Sequence, residues 1–262
     1  MLPTLVGLDH LVVAVRDLDA AAAAWGALGF TLSPRGLHSA HIGSANYTMM
    51  FGDDYLELLG VVTPTPHNQA LRDFVAKREG LDRAAFTTTD AAAGAEMLRE
   101  RGMDAVGPVH FSRPVPLPDG SETEARFSVF RWPPSVRVGG LGIFACQHHT
   151  RDAVWVPSLQ THANGATRIK RVLVATEDAA GAAAALAGAI DAAARQDGAF
   201  HVVATGNGRG EIAFAQRAAI ARLAGCAEDA LPAEGGAAMV LATTQPCPTG
   251  FATGVAVIFE AP

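Results

Sequence analysis

GLDHLVVAVRDLDAAAAAWGALGF, from Gly7 to Phe30, and GLDRAAFTTTDAAAGAEMLRERGM, from Gly80 to Met103, align without a gap at a constant offset of 73. The offset places Asp17 on Asp90 and Gly29 on Gly102. Each segment opens with an apolar, strand-like run and continues as an alanine-rich helix. The aspartates stand where a helix N-cap belongs, with a carboxylate to accept first-turn N–H groups, and the glycines stand where a C′ residue turns to positive φ. A third segment, RIKRVLVATEDAAGAAAALAGAID from Arg168 to Asp191, puts Asp178 at the same cap position but has no glycine stop.

Short β-rich runs come after each helix: FTLSPRGLHS, NYTMMFGD and YLELLGVV, then MDAVGPVHF, EARFSVFRW and GIFACQHH. Both copies read βαβββ, over residues 5–63 and 80–150. The prolines and Asp-Gly of RPVPLPDGSET read as an exposed loop inserted in the second copy. Residues 151–167 form a connector in which Trp155 and His162 pin the third copy, and residues 168–262 form a related C-terminal α+β module. The glycines of GNGRGE there read as a hairpin turn. The fold class is therefore α+β, with paired βαβββ modules forming a cupped mixed sheet, because a four-stranded module exposes an apolar face that it must share. The third module needs cover too, from the outer surface of the first two or from a second chain. A symmetric homodimer is the expected solution.

Composition excludes whole classes of function. The 262 residues are 49% hydrophobic and 18% charged, enough to bury a core and far from a disordered chain. A net charge of −6 without a Lys/Arg cluster excludes nucleic acid as an expected partner. The longest apolar stretch, Ala179 to Ile190, falls short of the roughly 18 residues a membrane span needs. MLPTLVGLDH has no basic n-region, so no signal peptide is expected, and Cys146, Cys226 and Cys247 include no C-x-x-C pair. These features read as a cytoplasmic protein. Cys146 reads as a small buried hydrophobe rather than a nucleophile.

Three stretches, LDHLVVAVRDLDAAAAAWGALGF, GSANYTMMFGDDYLELLGV and IFACQHHTRDAVWVPSLQTHANGA, together cover about the first 165 residues and resemble the vicinal-oxygen-chelate superfamily, and within it glyoxalase-like domain proteins. The resemblance implies a metal inside the cupped sheet, held by His, Glu or Gln from the first and last strands of each module. That points to His10 and Glu57 in the first copy and to Gln147 or His149 in the second, where Arg83 stands at the position of His10. Strand parity groups His10 with Leu8 and Val12, Glu57 with Tyr55 and Leu59, and Gln147 with His149 but not with His148. The implied cofactor is one divalent ion, Zn, Fe, Mn or Ni, or none. The implied chemistry is that of a metal-assisted lyase, isomerase or dioxygenase acting on a small oxygenated metabolite, with Glu57 and Gln147 as catalytic residues. The alternative is a metal-free protein that sequesters a small molecule, which Arg83 favours.

Around these, HSAHIGSANY offers His38, His41 and Asn46 as a polar wall for the ligand, and FRWPP offers Arg131 for an anionic group with Trp132 as an apolar wall. Each has a structural counterpart: a hydrogen-bonded core histidine for His10, a buried carboxylate paired with arginine for Glu57, a solvated loop for the histidines, and a strand-end arginine over a core tryptophan for Arg131 and Trp132.

Overall fold

The carboxylates of Asp17 and Asp90 each accept two first-turn N–H bonds, and that of Asp178 accepts one from Gly181. Gly29 and Gly102 follow their helices at φ of 87° and 76°, while Asp191 itself takes the left-handed conformation, at φ 56°, where the third copy has no glycine. The structure is a computed structural model and describes residues 1–117 and 119–262. The first module comprises β1 (Leu5–Val15), α1 (Leu18–Ala27), β2 (Gly36–Leu37), β3 (Ser44–Met50) and β4 (Tyr55–Val61). Helix α2 (Gln69–Lys77) leads to the second, β5 (Gly80–Thr88), α3 (Ala91–Glu100), β6 (Val106–Pro116), β7 (Glu122–Arg131), β8 (Arg137–Val138) and β9 (Leu141–His148). The C-terminal part holds β10 (Ala166–Ala175), α4 (Ala179–Ile190), β11 (Ala194–Asp197), β12 (Phe200–Ala204), β13 (Glu211–Ala215), α5 (Arg217–Ala224), β14 (Gly235–Thr243), β15 (Gly250–Ala252) and β16 (Val255–Glu260).

The first sheet runs β2-β3-β4-β1-β5-β9-β7-β6, with β8 added on β9, and curls until β2 meets β6. The second runs β11-β12-β13-β10-β14-β16-β15. Its pairings repeat those of the first: β10 is parallel to β13 and antiparallel to β14, as β1 is to β4 and β5, and β14 is parallel to β16 as β5 is to β9. The C-terminal part is thus one complete module followed by a shortened one, in which no helix separates β14 from β15.

Two runs depart from their expected form. Of FTLSPRGLHS only Gly36–Leu37 pairs, since Pro34 has no N–H to give a ladder. The insert RPVPLPDGSET is mostly strand, because β6 continues through Pro114 and Pro116. Strand β6 ends the ordered path of the sheet, and an edge strand tolerates prolines. Pro118 lies outside the described residues.

The two sheets pack back to back. Leu8, Leu11, Val13 and Phe86 of the first share one core with Trp25, Leu186 and Ile190 of the helices and with Val172, Phe214, Met239 and Val257 of the second. Gly236 is required where β14 crosses β5, since a Cβ there would stand 2.3 Å from that of Leu81. The opposite face of the second sheet is covered by Ile220, Ala221 and Ala224 of α5. The apolar face that motivated the homodimer is therefore covered within the chain.

Asp54, buried in the turn before β4, accepts the Ile169 N–H of β10 on both oxygens at 3.0 and 3.2 Å and so ties the sheets together. Burial pushes its carboxyl up to about 7. A folded-state value above the unfolded one makes the contribution to stability complete below the unfolded pKa and lost as pH rises through the folded value. From 3.8 to about 7 the loss is on the order of 4 kcal/mol. Asp54→Asn keeps an acceptor and carries no charge. Urea unfolding from about pH 4 to about pH 8 should show the variant gaining on the wild type as pH rises, and parallel curves would contradict the assignment.

Candidate active site in the first sheet

The site begins with a β-bulge. A register shift between Leu8 and His10 sends Leu8 into the core between the sheets, while Val12 joins the cluster inside the cup. The parity that grouped His10 with Leu8 is corrected by this extra residue, which also brings Asp9 beside His10. Asp9 is 1% exposed, and its Oδ2 lies 2.6 Å from His10 Nδ1 and 2.9 Å from His148 Nε2. Its Oδ1 accepts the hydroxyl of Thr87 at 2.7 Å. Burial alone would raise the Asp9 pKa; the charge of His148 and the bonds from both imidazoles outweigh it and hold the group well below the ordinary carboxylate range. Asp9 is therefore an acceptor only, and His10 Nδ1 and His148 Nε2 donate to it.

With Nδ1 so engaged, His10 presents Nε2 to Glu57 Oε2 at 3.7 Å, too far for a hydrogen bond. Glu57 Oε1 accepts from Asn46 Nδ2 at 2.6 Å. Tyr55 stacks on His10 with ring centres 4.3 Å apart, and Phe144 meets its edge at 5.4 Å. Trp155, on the connector, sets its ring 5.0 Å from His148 and 5.4 Å from Tyr55, so the connector forms one wall of the site. Arg151 in turn lies over Trp155 at 3.8 Å.

The structure brings some expected residues together and parts others. His10, Glu57 and Asn46 meet inside the cup, as the expected face of β4 with Tyr55 and Leu59 requires. His38 bonds Ser44 Oγ at 2.8 Å and has its pKa lowered by burial; Glu57 and Arg113 both act on it. His41 is exposed and abuts His67 at 5.3 Å. Arg131 follows Phe127 and Val129 on the inner face of β7, where burial and Arg83 lower its pKa. Trp132 is corrected: it is buried on the other face and donates its indole N–H to Ala189 O, so it holds α4 rather than a ligand.

Gln147 and His149 are corrected as well. The strand parity of β9 is as expected, but the face is the opposite one. Gln147 Oε1 accepts from Ala91 N at 3.0 Å and its Nε2 donates to Thr89 O at 2.8 Å, so it braces the start of α3 outside the cup. His149 lies on that side too, bonded to Ser128 Oγ, which also meets His110. His148 is the inner residue. Cys146 is buried beside it with its thiol pushed up by burial, which suits an inert hydrophobe.

Asp9, His10 and His148 each offer a donor atom within 4.8 Å of the others. Two imidazoles and a carboxylate suit a borderline divalent ion, and His148 Nδ1 is buried with no partner among the described residues, leaving its ring uncommitted on that side. The residue types fit such an ion in place of the two Asp9–imidazole bonds, because a nitrogen that donates to Asp9 has no lone pair to give a metal. The donor set is one-sided, however. His10 pairs with Tyr55 across β1 and β4, two residues before Glu57, whereas Arg83 pairs with Gly142 across β5 and β9, two residues before Phe144. Arg83 and Phe144 thus stand in the second module where His10 and Glu57 stand in the first, and Arg83 is bonded to Asp82 at 2.6 Å. Replacing Gln147 by Leu removes one part-buried and one exposed hydrogen bond, should lower the unfolding free energy by about 1 kcal/mol, and should leave the histidine NMR signals of the cup unmoved. Shifted His10 and His148 signals with unchanged stability would contradict its placement.

Known proteins share this fold. A hypothetical protein from Staphylococcus aureus superposes with a TM-score of 0.74 at 13% identity, over 97% of this chain and 99% of that one. A xylose isomerase-like TIM barrel/4-hydroxyphenylpyruvate dioxygenase fusion protein gives 0.57 at 16% identity, over 93% of this chain and 37% of that one. A variant of 4-hydroxymandelate synthase from Streptomyces coelicolor gives 0.56 at 12% identity, over 92% and 72%. At these identities the likeness is one of fold. No curated protein matches the chain. The profile of the glyoxalase-like domain matches residues 8–190, which spans both modules of the first sheet and runs on through α4. The chain belongs to the glyoxalase-like domain family.

Proposed function

We propose that the protein is a lyase or isomerase of a small oxygenated metabolite, in which Glu57 moves a proton at a carbon next to a substrate oxygen. The observation that supports this reading is the convergence of His10 Nε2 and Glu57 Oε2, 3.7 Å apart and not bonded to each other, on the inner face of the sheet. Asn46 holds Glu57 through Oε1, so Oε2 remains free to take a proton. The Tyr55 stack and the Asp9 bond fix the plane and the tautomer of His10, which leaves a bare Nε2 to orient or exchange the same proton. Phe144 and Tyr55 exclude water from one side of the pair. A divalent ion held by Asp9, His10 and His148 would take the place of the Asp9–imidazole bonds and would supply Lewis-acid polarisation of a substrate oxygen.

A second reading, a sequestering protein of the same fold, is favoured by Arg83 and Phe144 at the positions where the second module would supply donors. One set of experiments separates the two. Protein purified without chelator should carry a divalent ion by elemental analysis, and His148→Ala should lose it. In D2O the wild type should wash deuterium into carbon-bound positions of some member of a panel of small hydroxy and oxo compounds. Glu57→Gln should slow that exchange by about 10²- to 10⁴-fold. Binding of a panel member without exchange, equal in the wild type and Glu57→Gln, would favour the sequestering protein.

A further inference from the structure

We infer that the cup recognises its small molecule through a carboxylate seated on Arg113, an inference that rests on reading the cup as the ligand site. Arg113 is 8% exposed, yet among the described residues no carboxylate lies within 4.0 Å of it. Among the described residues its one hydrogen-bond acceptor is the carbonyl of Pro114, at 3.4 Å. A guanidinium carries five N–H donors, and burying its charge is costly unless they are used. A structural arginine so placed would be saturated with acceptors.

The surroundings say where the missing acceptor belongs. Arg113 pairs in register with Ala125, which lies in the inner cluster with Phe127 and Tyr55, so its side chain is on the inner face. It reaches across the seam between β6 and β2 over Gly36. A Cβ on Gly36 would stand 2.8 Å from Arg113 Nη1 and 2.4 Å from Asn46 Oδ1, so the absent side chain makes room for both groups. Asn46 is the residue that holds Glu57, which sets the cation beside the proposed proton carrier. Of the two inner carboxylates, Asp9 is held by both imidazoles and Thr87, and Glu57 is held through Oε1 by Asn46 rather than by Arg113. Arg131, with no carboxylate within 4.0 Å among the described residues, adds a second cation on the same face. Glu57 acts on Arg113 through its charge, but among the described residues neither arginine is in direct contact with a carboxylate. A planar carboxylate matches the fork of Arg113, and bound there it would present its neighbouring carbon towards Glu57.

The test is thermal unfolding with lactate, malonate, succinate and inorganic phosphate, against lactamide and malonamide at matched ionic strength. Carboxylates should raise the Tm of the wild type and the amides should not. Arg113→Met should have an equal or higher Tm without anions, because it removes an unpaired buried charge, and should bind the carboxylate at least tenfold more weakly. Arg113→Lys should recover part of the binding. Gly36→Ala keeps the charge but crowds the guanidinium, and should weaken binding even if Arg113→Met does not fold. Glu57→Gln should retain carboxylate binding whether or not it abolishes exchange, which separates this inference from the proton-transfer reading. Equal carboxylate binding by wild type and Arg113→Met, or stabilisation by phosphate alone, would overturn it.

Discussion

A single buried carboxylate organises the cup. Asp9 receives donors from three strands, His10 beside it on β1, Thr87 on β5 and His148 on β9, and so spans the antiparallel seam where the two modules meet. A carboxylate this deeply buried persists only when its lone pairs are filled, which fixes the roles of the groups around it. Because Asp9 only accepts, both imidazoles must turn a donor towards it. In the neutral ring the other nitrogen of His10 then faces Glu57 as an acceptor. The bulge at Leu8 and His10 is what admits Asp9 to this position, so a local irregularity of β1 underlies the polar centre.

Pairing fixes the architecture, and variation at matched positions fixes its asymmetry. Both sheets repeat the same parallel and antiparallel relations about a central seam. The first module keeps His10 and Glu57 while the second has Arg83 and Phe144 in their places. The second sheet puts Arg171 opposite Glu211 on adjoining strands, and the two form an ion pair at 2.9 Å with Arg195 and Asp197 close by. Duplicated geometry has thus been filled with different chemistry. In the first sheet the polar groups gather on Asp9 and Glu57 inside the cup, and in the second Arg171, Arg195, Asp197 and Glu211 pair with one another.

Much of this is legible in the sequence. The offset between the Gly7 and Gly80 segments, with its paired aspartates and glycines, predicts the modules because caps depend on local chemistry alone. Alternation places Glu57 with Tyr55, and the pairing of His10 with Glu57 follows from the resemblance and holds in space. The hidden features depend on tertiary context. Alternation divides β9 into two faces but cannot say which one is inside, so it gives no reason to prefer His148 to Gln147. A period of two carries no signal for a bulge, so nothing in the pattern marks Asp9. Three prolines make the Arg113 segment look like a loop, although an edge strand accommodates prolines. Trp132, next to an inward arginine, points outward, against Phe86, Phe130 and the end of α4.

Whether Asp9 sets the tautomers of His10 and His148 can be read from nitrogen-15 NMR of the imidazoles in chelator-treated protein. Neutral His10 should be the Nδ1–H tautomer with a bare Nε2, neutral His148 the Nε2–H tautomer, and Asp9→Asn should disturb both. A wild-type His10 that carries its neutral-state proton on Nε2, or tautomers indifferent to Asp9→Asn, would contradict it.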